Sequence, residues 1–313
     1  MGVGSSTQRA VLARLPEGLA DTFRAVPHDE TSAFGEDVSE RVAPAWERYR
    51  HSVFEIWGRL SEWIVDRVDP KPGQTMLELT AGPGETGFLV AERLLPGGRL
   101  ISTDLSIGMV DAARRGAEAR GLANVECRTM DAQAIDLPEA SVDGVISRFG
   151  LMLLPEPTKA FAEIYRVLRP TGRLAYGVMG PPQENPLLSV FVQAFAEHGH
   201  ALDADPFGPG GLFSLANHDG NRSLVETAGF GHIEIEDVRG NAHYESLDDY
   251  WQIQSAIGGP LAVVAATLPA DELAAIKATL GKMIGPFEHD GTYDIPWMAI
   301  GVIGEESDGR GSH

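Results

Sequence analysis

The sequence of 313 residues predicts an α/β fold, in which helices cover both faces of a mostly parallel sheet. Two observations lead to this prediction. Short apolar runs alternate with amphipathic stretches through the middle of the chain, and glycine or proline stands at the junctions between them. A strand followed by a helix, repeated several times, is typical of parallel strands because their crossover connections usually contain a helix.

The individual elements follow from these patterns in chain order. Apolar residues spaced three and four apart predict a first helix from about Pro44 to Val68, which Pro70 ends. The apolar runs predict strands at 75–80, 99–104, 124–129, 142–148, 173–179, 232–239 and 297–303. Among the first five strands, helices are predicted at 86–95, 106–120 and 158–168.

The chain is expected to form one domain over residues 44–313, preceded by a partly flexible N-terminal extension over 1–43. Within the domain, residues 44–180 carry the regular strand–helix pattern. Two helical additions, at 181–221 and 246–290, exceed what the sheet needs. Their apolar content predicts cap insertions that pack over the sheet.

Charge and cysteine content exclude several classes of partner. The formal net charge is −20, with 45 acidic residues against 25 lysines and arginines, which disfavours nucleic acid and anionic membranes. Cys127 is the only cysteine, so no internal disulfide or thiolate cluster forms, and we expect no metal site. No apolar run reaches the roughly 18 residues of a membrane helix. These features predict a cytoplasmic protein acting on a small molecule, and they leave its oligomeric state open.

The most informative segment joins the first predicted strand to the next helix. It contains the glycine pattern Gly82-x-Gly84-x-x-Gly87, and Asp104 stands twenty residues beyond Gly84 at the end of the second strand. Glycines let a ligand approach the backbone, and a carboxylate at that strand end can accept hydrogen bonds from ribose hydroxyls. By itself this pattern fits a nicotinamide dinucleotide and S-adenosylmethionine (SAM) equally well.

Three further features favour SAM. Glu78, near the end of the first strand, would repel a pyrophosphate but attract the ammonium of a methionine. Leu105 and Met109 are apolar and could flank an adenine. Asp131 and Ala132 follow the third strand, where the Asp131 carboxylate could accept a hydrogen bond from the adenine amine.

Four segments resemble the class I SAM-dependent methyltransferases of the ubiquinone/menaquinone C-methyltransferase-like group. They are LELTAGPGETG at 77–87, ISTDLSIGMV at 101–110, MDAQAIDLPEASVDGVISRFGLMLLPEP at 130–157 and EIYRVLRPTGRLAYGV at 163–178. The resemblance implies a Rossmann-like sheet of seven strands with only the last one antiparallel. It also implies cofactor contacts at Gly82, Gly84, Asp104, Met109, Asp131, Ala132 and near Ser147 and Arg148.

The sequence departs from the pattern of the relatives at Thr80 and Ala81, where a glycine and a small residue are common. Thr80 is expected to narrow the turn without preventing SAM binding. Both residues are therefore kept among the cofactor-binding candidates.

Candidate acceptor-binding residues come from the fourth strand and from the second addition. Phe149 and Met152 follow that strand and could line a pocket, with core packing as the alternative. Trp251 could form a further wall. The sequence identifies no general base, so the catalytic residues are unknown.

Together these features predict SAM-dependent methyl transfer to oxygen, carbon or nitrogen of a small, largely apolar or aromatic acceptor. Two alternatives stay open. One is an NAD(P)-dependent oxidoreductase with the same glycine turn, and the other is a SAM-binding protein of this fold that does not methylate.

Overall fold

A computed structural model of the chain describes residues 35–202 and 204–306. Residues 1–34 of the predicted N-terminal extension lie outside the described residues. The strands within these ranges are β1 (Thr75–Glu78), β2 (Arg99–Asp104), β3 (Val125–Thr129), β4 (Val142–Arg148), β5 (Leu168–Met179), β6 (Phe230–Tyr244), β7 (Glu288–His289) and β8 (Thr292–Glu306). The α-helices there are α1 (Glu36–Arg48), α2 (Arg50–Val68), α3 (Glu85–Arg93), α4 (Ile107–Ala119), α5 (Pro157–Val167), α6 (Pro186–Glu197), α7 (His218–Ala228), α8 (Leu247–Ile257), α9 (Pro260–Ala265) and α10 (Ala270–Ile284).

The strands form one sheet in the order β3-β2-β1-β4-β5-β8-β6, and the short strand β7 pairs with β8. Strands β1 to β5 are parallel to their neighbours among themselves, whereas β8 runs antiparallel to β5 and β6. The predicted mostly parallel sheet with one antiparallel strand is therefore confirmed. In such a sheet the carboxyl ends of the parallel strands share one edge, where ligands bind.

The first helix differs from the prediction. Two helices replace the single one expected over 44–68, because α1 begins at Glu36, contains Pro44 in its interior and ends before Tyr49. The break allows α1 to pack on α4, where Glu47 pairs with Arg115, while α2 crosses the sheet. Tertiary contact therefore outweighs the tendency of Pro44 to begin a helix.

Strands β6 and β8 are longer than the apolar runs at 232–239 and 297–303 indicated. Their pairing continues to Tyr244 opposite Tyr293, so this antiparallel pair of strands projects beyond the carboxyl edge of the sheet. Backbone pairing along this projection does not require a continuous apolar run, because side chains of a paired strand alternate between faces.

Helix α2 packs closely on the sheet. Leu60 and Ile64 are fully buried. A Cβ atom at Gly177 would lie 2.8 Å from Leu60, and one at Gly301 would lie 2.5 Å from the Trp63 ring, so these glycines let the helix approach the strands. No helix among the described residues is long and apolar enough to cross a membrane.

The two additions, called the cap below, pack on each other through aromatic rings. Phe195 of α6 is fully buried and stacks on Trp251 of α8 with ring centroids 6.1 Å apart. Tyr250 donates a hydrogen bond to the Leu187 carbonyl at 2.7 Å. Near the end of α6, His200 pairs with Glu272 of α10 at 2.6 Å, so this histidine joins two cap helices.

Candidate functional site

The loop between β1 and α3 adopts a left-handed backbone at three positions. The φ angles are +54° at Thr80, +55° at Gly82 and +89° at Gly84. Glycine adopts this conformation freely, whereas a left-handed backbone costs other residues roughly 1–2 kcal/mol. Thr80 therefore occupies a glycine-like conformation at the position where relatives were expected to carry glycine.

Contacts to the end of β4 hold Thr80 in this conformation. Its hydroxyl lies 2.8 Å from the Ser147 hydroxyl. Its side chain packs against Gly150 and fills the space that a Cβ atom at residue 150 would need. Ser147 is 1% exposed, so its side chain serves this contact. The pair connects the ends of β1 and β4, which are neighbours in the sheet.

Glu78 lies buried at the end of β1. Its carboxylate accepts hydrogen bonds from the Gly87 backbone N–H and from the Ser102 hydroxyl, each at 2.8 Å, and its side chain is 2% exposed. The carboxylate is therefore directed at the first turn of α3, and its contact with a ligand ammonium stays a prediction. Burial raises the pKa of Glu78 to about 8, although both hydrogen bonds and the charge of Arg148 oppose the rise.

Asp104 lies at the sheet edge beside the glycine loop. Its two carboxylate oxygens accept hydrogen bonds from the Gly82 N–H at 2.9 Å and the Ser106 N–H at 3.0 Å. Burial raises the pKa of Asp104 above its ordinary value, and these backbone bonds oppose the rise. The Asp104 side chain is partly buried, and the neighbouring Leu105 is 42% exposed. A carboxylate and an apolar side chain are therefore both accessible at this point of the sheet edge.

Met109 and the start of α4 are covered by α1. The Ser106 hydroxyl accepts a hydrogen bond from the Met109 N–H, and Glu40 accepts one from the Gly108 N–H at 3.0 Å. Met109 is 6% exposed and packs with apolar residues of α1 and α9, including Val42. Its side chain therefore joins helices, whereas Leu105 remains the accessible apolar group.

The third strand brings Asp131 to the same edge. Its carboxylate accepts a hydrogen bond from the Gln133 N–H at 2.8 Å and stays partly exposed. Ala132 beside it is 4% exposed. Asp131 thus keeps acceptor capacity toward a ligand, as a carboxylate has about four acceptor positions.

Arg148 ends β4 with an incompletely paired guanidinium. Its Nε donates to the Thr86 hydroxyl at 3.0 Å, whereas its Nη1 is buried and has no hydrogen-bond partner among the described residues. Burial lowers the pKa of Arg148 to about 10, and the charges of Glu78 and Glu85 oppose this. The side chain remains a cation at neutral pH, and its unpartnered nitrogen suits an anionic group.

The structure separates the three acceptor candidates. Phe149 has a φ of +61°, is half-buried and meets Trp57 of α2 edge to face with ring centroids 4.8 Å apart. Met152 is 3% exposed, and its sulfur accepts a hydrogen bond from the Met179 N–H, so it belongs to the core. Trp251 packs on Phe195 inside the cap. Of the three, only Phe149 lies at the strand edge with Arg148, and acceptor contact by any of them stays a prediction.

A cavity of about 760 Å³ opens beside this edge. It lies between α2, the start of α6, the end of α10 and the projecting part of β6 and β8, and its walls include Arg59 and Trp297. Sequence reasoning missed both residues. Arg59 follows Trp57 on a helix and has no pattern of its own, while Trp297 reaches the cavity only through the register of β8 against β6.

Comparison with known proteins identifies the part of the chain that carries the loop. Residues 76–172 match the family model described as a methyltransferase domain. The nocamycin O-methyltransferase of Saccharothrix syringae is 35% identical over 41% of this chain and 45% of its own length. The demethylmenaquinone methyltransferase of Thermus thermophilus is 37% identical over 38% of this chain and 53% of its own length. The chain thus spans about half the length of these curated relatives.

A solved structure extends the likeness of the fold to most of the chain. The YcgJ protein of Bacillus subtilis aligns over 80% of this chain and 98% of its own, with a TM-score of 0.52 and 18% identity. At that identity the alignment establishes the fold only.

Proposed function

Since the chain carries the domain of the class I SAM-dependent methyltransferases, we propose that it transfers the methyl group of SAM to a small, largely apolar or aromatic organic acceptor. The acceptor atom is oxygen, carbon or nitrogen. The observation that carries the proposal is the juxtaposition, at one sheet edge, of the glycine loop with Asp104 and the unpartnered Arg148 nitrogen. The oxidoreductase alternative is not favoured, because the matched family and the named relatives are methyltransferases.

The side chains at this edge fit the parts of SAM. Asp104 has acceptor capacity left for ribose hydroxyls, and the exposed Leu105 offers an apolar surface to the adenine. Asp131 can accept from the adenine amine. Arg148 pairs with the carboxylate of the methionine part, which gives its buried Nη1 a partner.

When bound, SAM supplies a methyl group that the positive sulfonium already activates. The residues of the chain then have to orient the acceptor and exclude water. Phe149, which packs on Trp57 and lies next to Arg148, would offer its ring to the acceptor for this purpose.

Isothermal titration with two ligands tests the assignment of each part. S-adenosylhomocysteine carries the amino-acid part, whereas 5′-methylthioadenosine lacks it. We expect Arg148→Gln to weaken S-adenosylhomocysteine binding by about 1.5–3 kcal/mol, the range for a hydrogen bond to a charged group, and to leave 5′-methylthioadenosine unaffected. Asp104→Ala should weaken both ligands by a similar amount, and Asp136→Ala, which removes an exposed carboxylate, should weaken neither.

Thermal melting and product formation test the function itself. S-adenosylhomocysteine should raise the melting temperature and NAD should not, because only a ligand of the folded state stabilises it. A panel of aromatic acids, phenols and amines should then yield S-adenosylhomocysteine from SAM. Stabilisation by NAD alone would contradict the proposal, and SAM binding with no transfer to any acceptor would favour a non-methylating protein.

A further inference from the structure

The cavity beside the sheet edge is large and mostly apolar. Its volume of about 760 Å³ falls within the range of small-molecule sites, roughly 300–1,000 Å³. Val190, Met283 and Phe287 contribute apolar walls together with several prolines. None of the residues that resembled cofactor contacts lines it, so the cavity is distinct from the place assigned to SAM.

The charge of the cavity wall is opposite to that of the chain. Two arginines and one glutamate line it, whereas the whole chain has a net charge of −20. Arg239 is paired with Glu184 and with Asp237. Arg59, on α2, forms no ion pair within the described ranges, so its charge is available to a ligand.

Trp297 forms the inner wall of the cavity. It is 2% exposed, and its indole N–H is buried without a hydrogen-bond partner among the described residues. The ring lies over Gly240 of the paired strand, where a Cβ atom would come within 2.5 Å of the indole carbon Cε2. Gly240 therefore creates the space that the Trp297 ring fills.

A row of aromatic rings connects this wall to the sheet edge. Trp297 lies 4.9 Å from Trp57 between ring centroids, and Trp57 lies 4.8 Å from Phe149, which follows Arg148 at the end of β4. Trp57 is 4% exposed, so these rings form a packed row inside the protein. Because both spacings are below 5 Å, the cofactor edge and the cavity wall lie within about 10 Å of each other, a distance that one elongated molecule can span.

We propose that the cavity receives the end of the methyl acceptor that lies away from the reacting atom, and that Arg59 pairs there with an anionic group of the acceptor. The acceptor is then an elongated, mostly apolar or aromatic molecule with a carboxylate or similar anion at one end. This inference rests on the proposed function for the identity of the ligand as an acceptor. The predicted binding of an anionic aromatic molecule in the cavity does not depend on SAM.

Fluorescence titration with two dyes tests the cavity directly. The probes are 1-anilinonaphthalene-8-sulfonate, an aromatic anion, and N-phenyl-1-naphthylamine, its uncharged counterpart. We expect Arg59→Gln to lower the affinity for the sulfonate by about two- to fivefold, the range for an exposed ion pair, and to leave the affinity for the amine unchanged. Arg222→Gln, which removes an exposed arginine of α7, should change neither affinity. Val190→Trp fills the cavity and should lower both.

The outcomes separate this inference from the proposed function. Unchanged sulfonate binding in Arg59→Gln, or equal losses for both dyes, would overturn it. Equal losses in Arg222→Gln would also overturn it, since the effect would then reflect net charge alone. S-adenosylhomocysteine titrated into the same variants should bind as in the parent protein. If that ligand binds normally while the dye pattern fails, only the inference about the cavity is lost; if it fails to bind the parent protein, the proposed function is lost.

Discussion

The glycine loop and the cap are held by different forces. Buried polar groups hold the loop: Glu78 accepts from Gly87, Asp104 accepts from Gly82, and Thr80 bonds Ser147. Aromatic rings hold the cap, where the Phe195 ring contacts those of Phe191 and Trp251.

The hydrogen bonds of the loop fix the position of its backbone, whereas the apolar contacts of the cap mainly contribute stability. A satisfied polar network specifies one backbone geometry, because each hydrogen bond depends on distance and direction. Apolar packing stabilises the folded state without strict directions between the groups, and it tolerates substitutions that change side-chain shape. The family match covers residues 76–172, which include the loop, whereas the cap lies outside this range. The loop therefore belongs to the matched domain, where we propose that the cofactor binds, and we propose that acceptor preference depends on the cap.

The largest effect is expected in the cap. Phe195→Ala should lower the free energy of unfolding by about 3–5 kcal/mol, since it deletes a fully buried ring from the aromatic cluster. The affinity for S-adenosylhomocysteine should stay unchanged, because the loop does not depend on that ring. Urea denaturation and calorimetry measure the two quantities. Glu197→Ala, an exposed position on the same helix, should change stability by no more than about 0.5 kcal/mol. A parallel loss of affinity in Phe195→Ala would show that loop and cap are coupled.

The next effect concerns the pH dependence of stability at Glu78. Its pKa is raised from 4.5 to about 8 in the folded protein, so between these values the folded state keeps a proton that the unfolded state releases. Stability from this group is therefore complete below pH 4.5 and is lost as pH rises through about 8. Glu78→Gln, which cannot ionise, should remove this loss, a difference on the order of a few kcal/mol.

Urea denaturation at pH 5, 6.5 and 8 measures this difference. Relative to Glu78→Gln, the parent protein should become steadily less stable toward pH 8. Glu92→Gln alters an exposed carboxylate of the following helix and should leave the pH profile unchanged. Parallel profiles for the parent protein and Glu78→Gln would mean that the buried carboxyl group does not titrate in this range.

A smaller effect is expected at Thr80. Thr80→Gly relieves the left-handed backbone but loses the hydrogen bond to Ser147, so stability should change by no more than about 1 kcal/mol. Thr80→Val keeps the strain and leaves the buried Ser147 hydroxyl without its partner, which should cost about 1–3 kcal/mol. Thermal unfolding of both variants measures the contrast. Both variants lose the hydrogen bond, so equal destabilisation would mean that the left-handed backbone at residue 80 costs no free energy.

No effect is expected from removing divalent metals. Among the described residues, no three histidine, cysteine or carboxylate side chains are grouped as a metal site would require. EDTA should therefore leave both the melting temperature and S-adenosylhomocysteine binding unchanged. A loss that a divalent ion restores would reveal a site involving other parts of the chain.

The amino-acid sequence alone was sufficient to predict the strands and the glycine turn of the part of the chain to which we assign the cofactor. The predicted strand at 99–104 and that at 142–148 coincide with β2 and β4, because apolar periodicity and flanking glycines act within a few residues. The places of the glycine turn and of Asp104 could also be predicted from neighbouring residues, because each directly follows or ends a strand in the chain. The sequence indicated the cap only as apolar helices.

The tertiary structure decided which way the side chains face and which distant residues meet. The inward direction of Glu78 depends on Ser102 of the neighbouring strand, and the core position of Met152 depends on Met179. The cavity joins Arg59 to Trp297, which are far apart in the chain and meet only because β8 pairs with β6 in one register beside α2. Register and helix packing are set by the summed burial of many residues, so no local pattern encodes them.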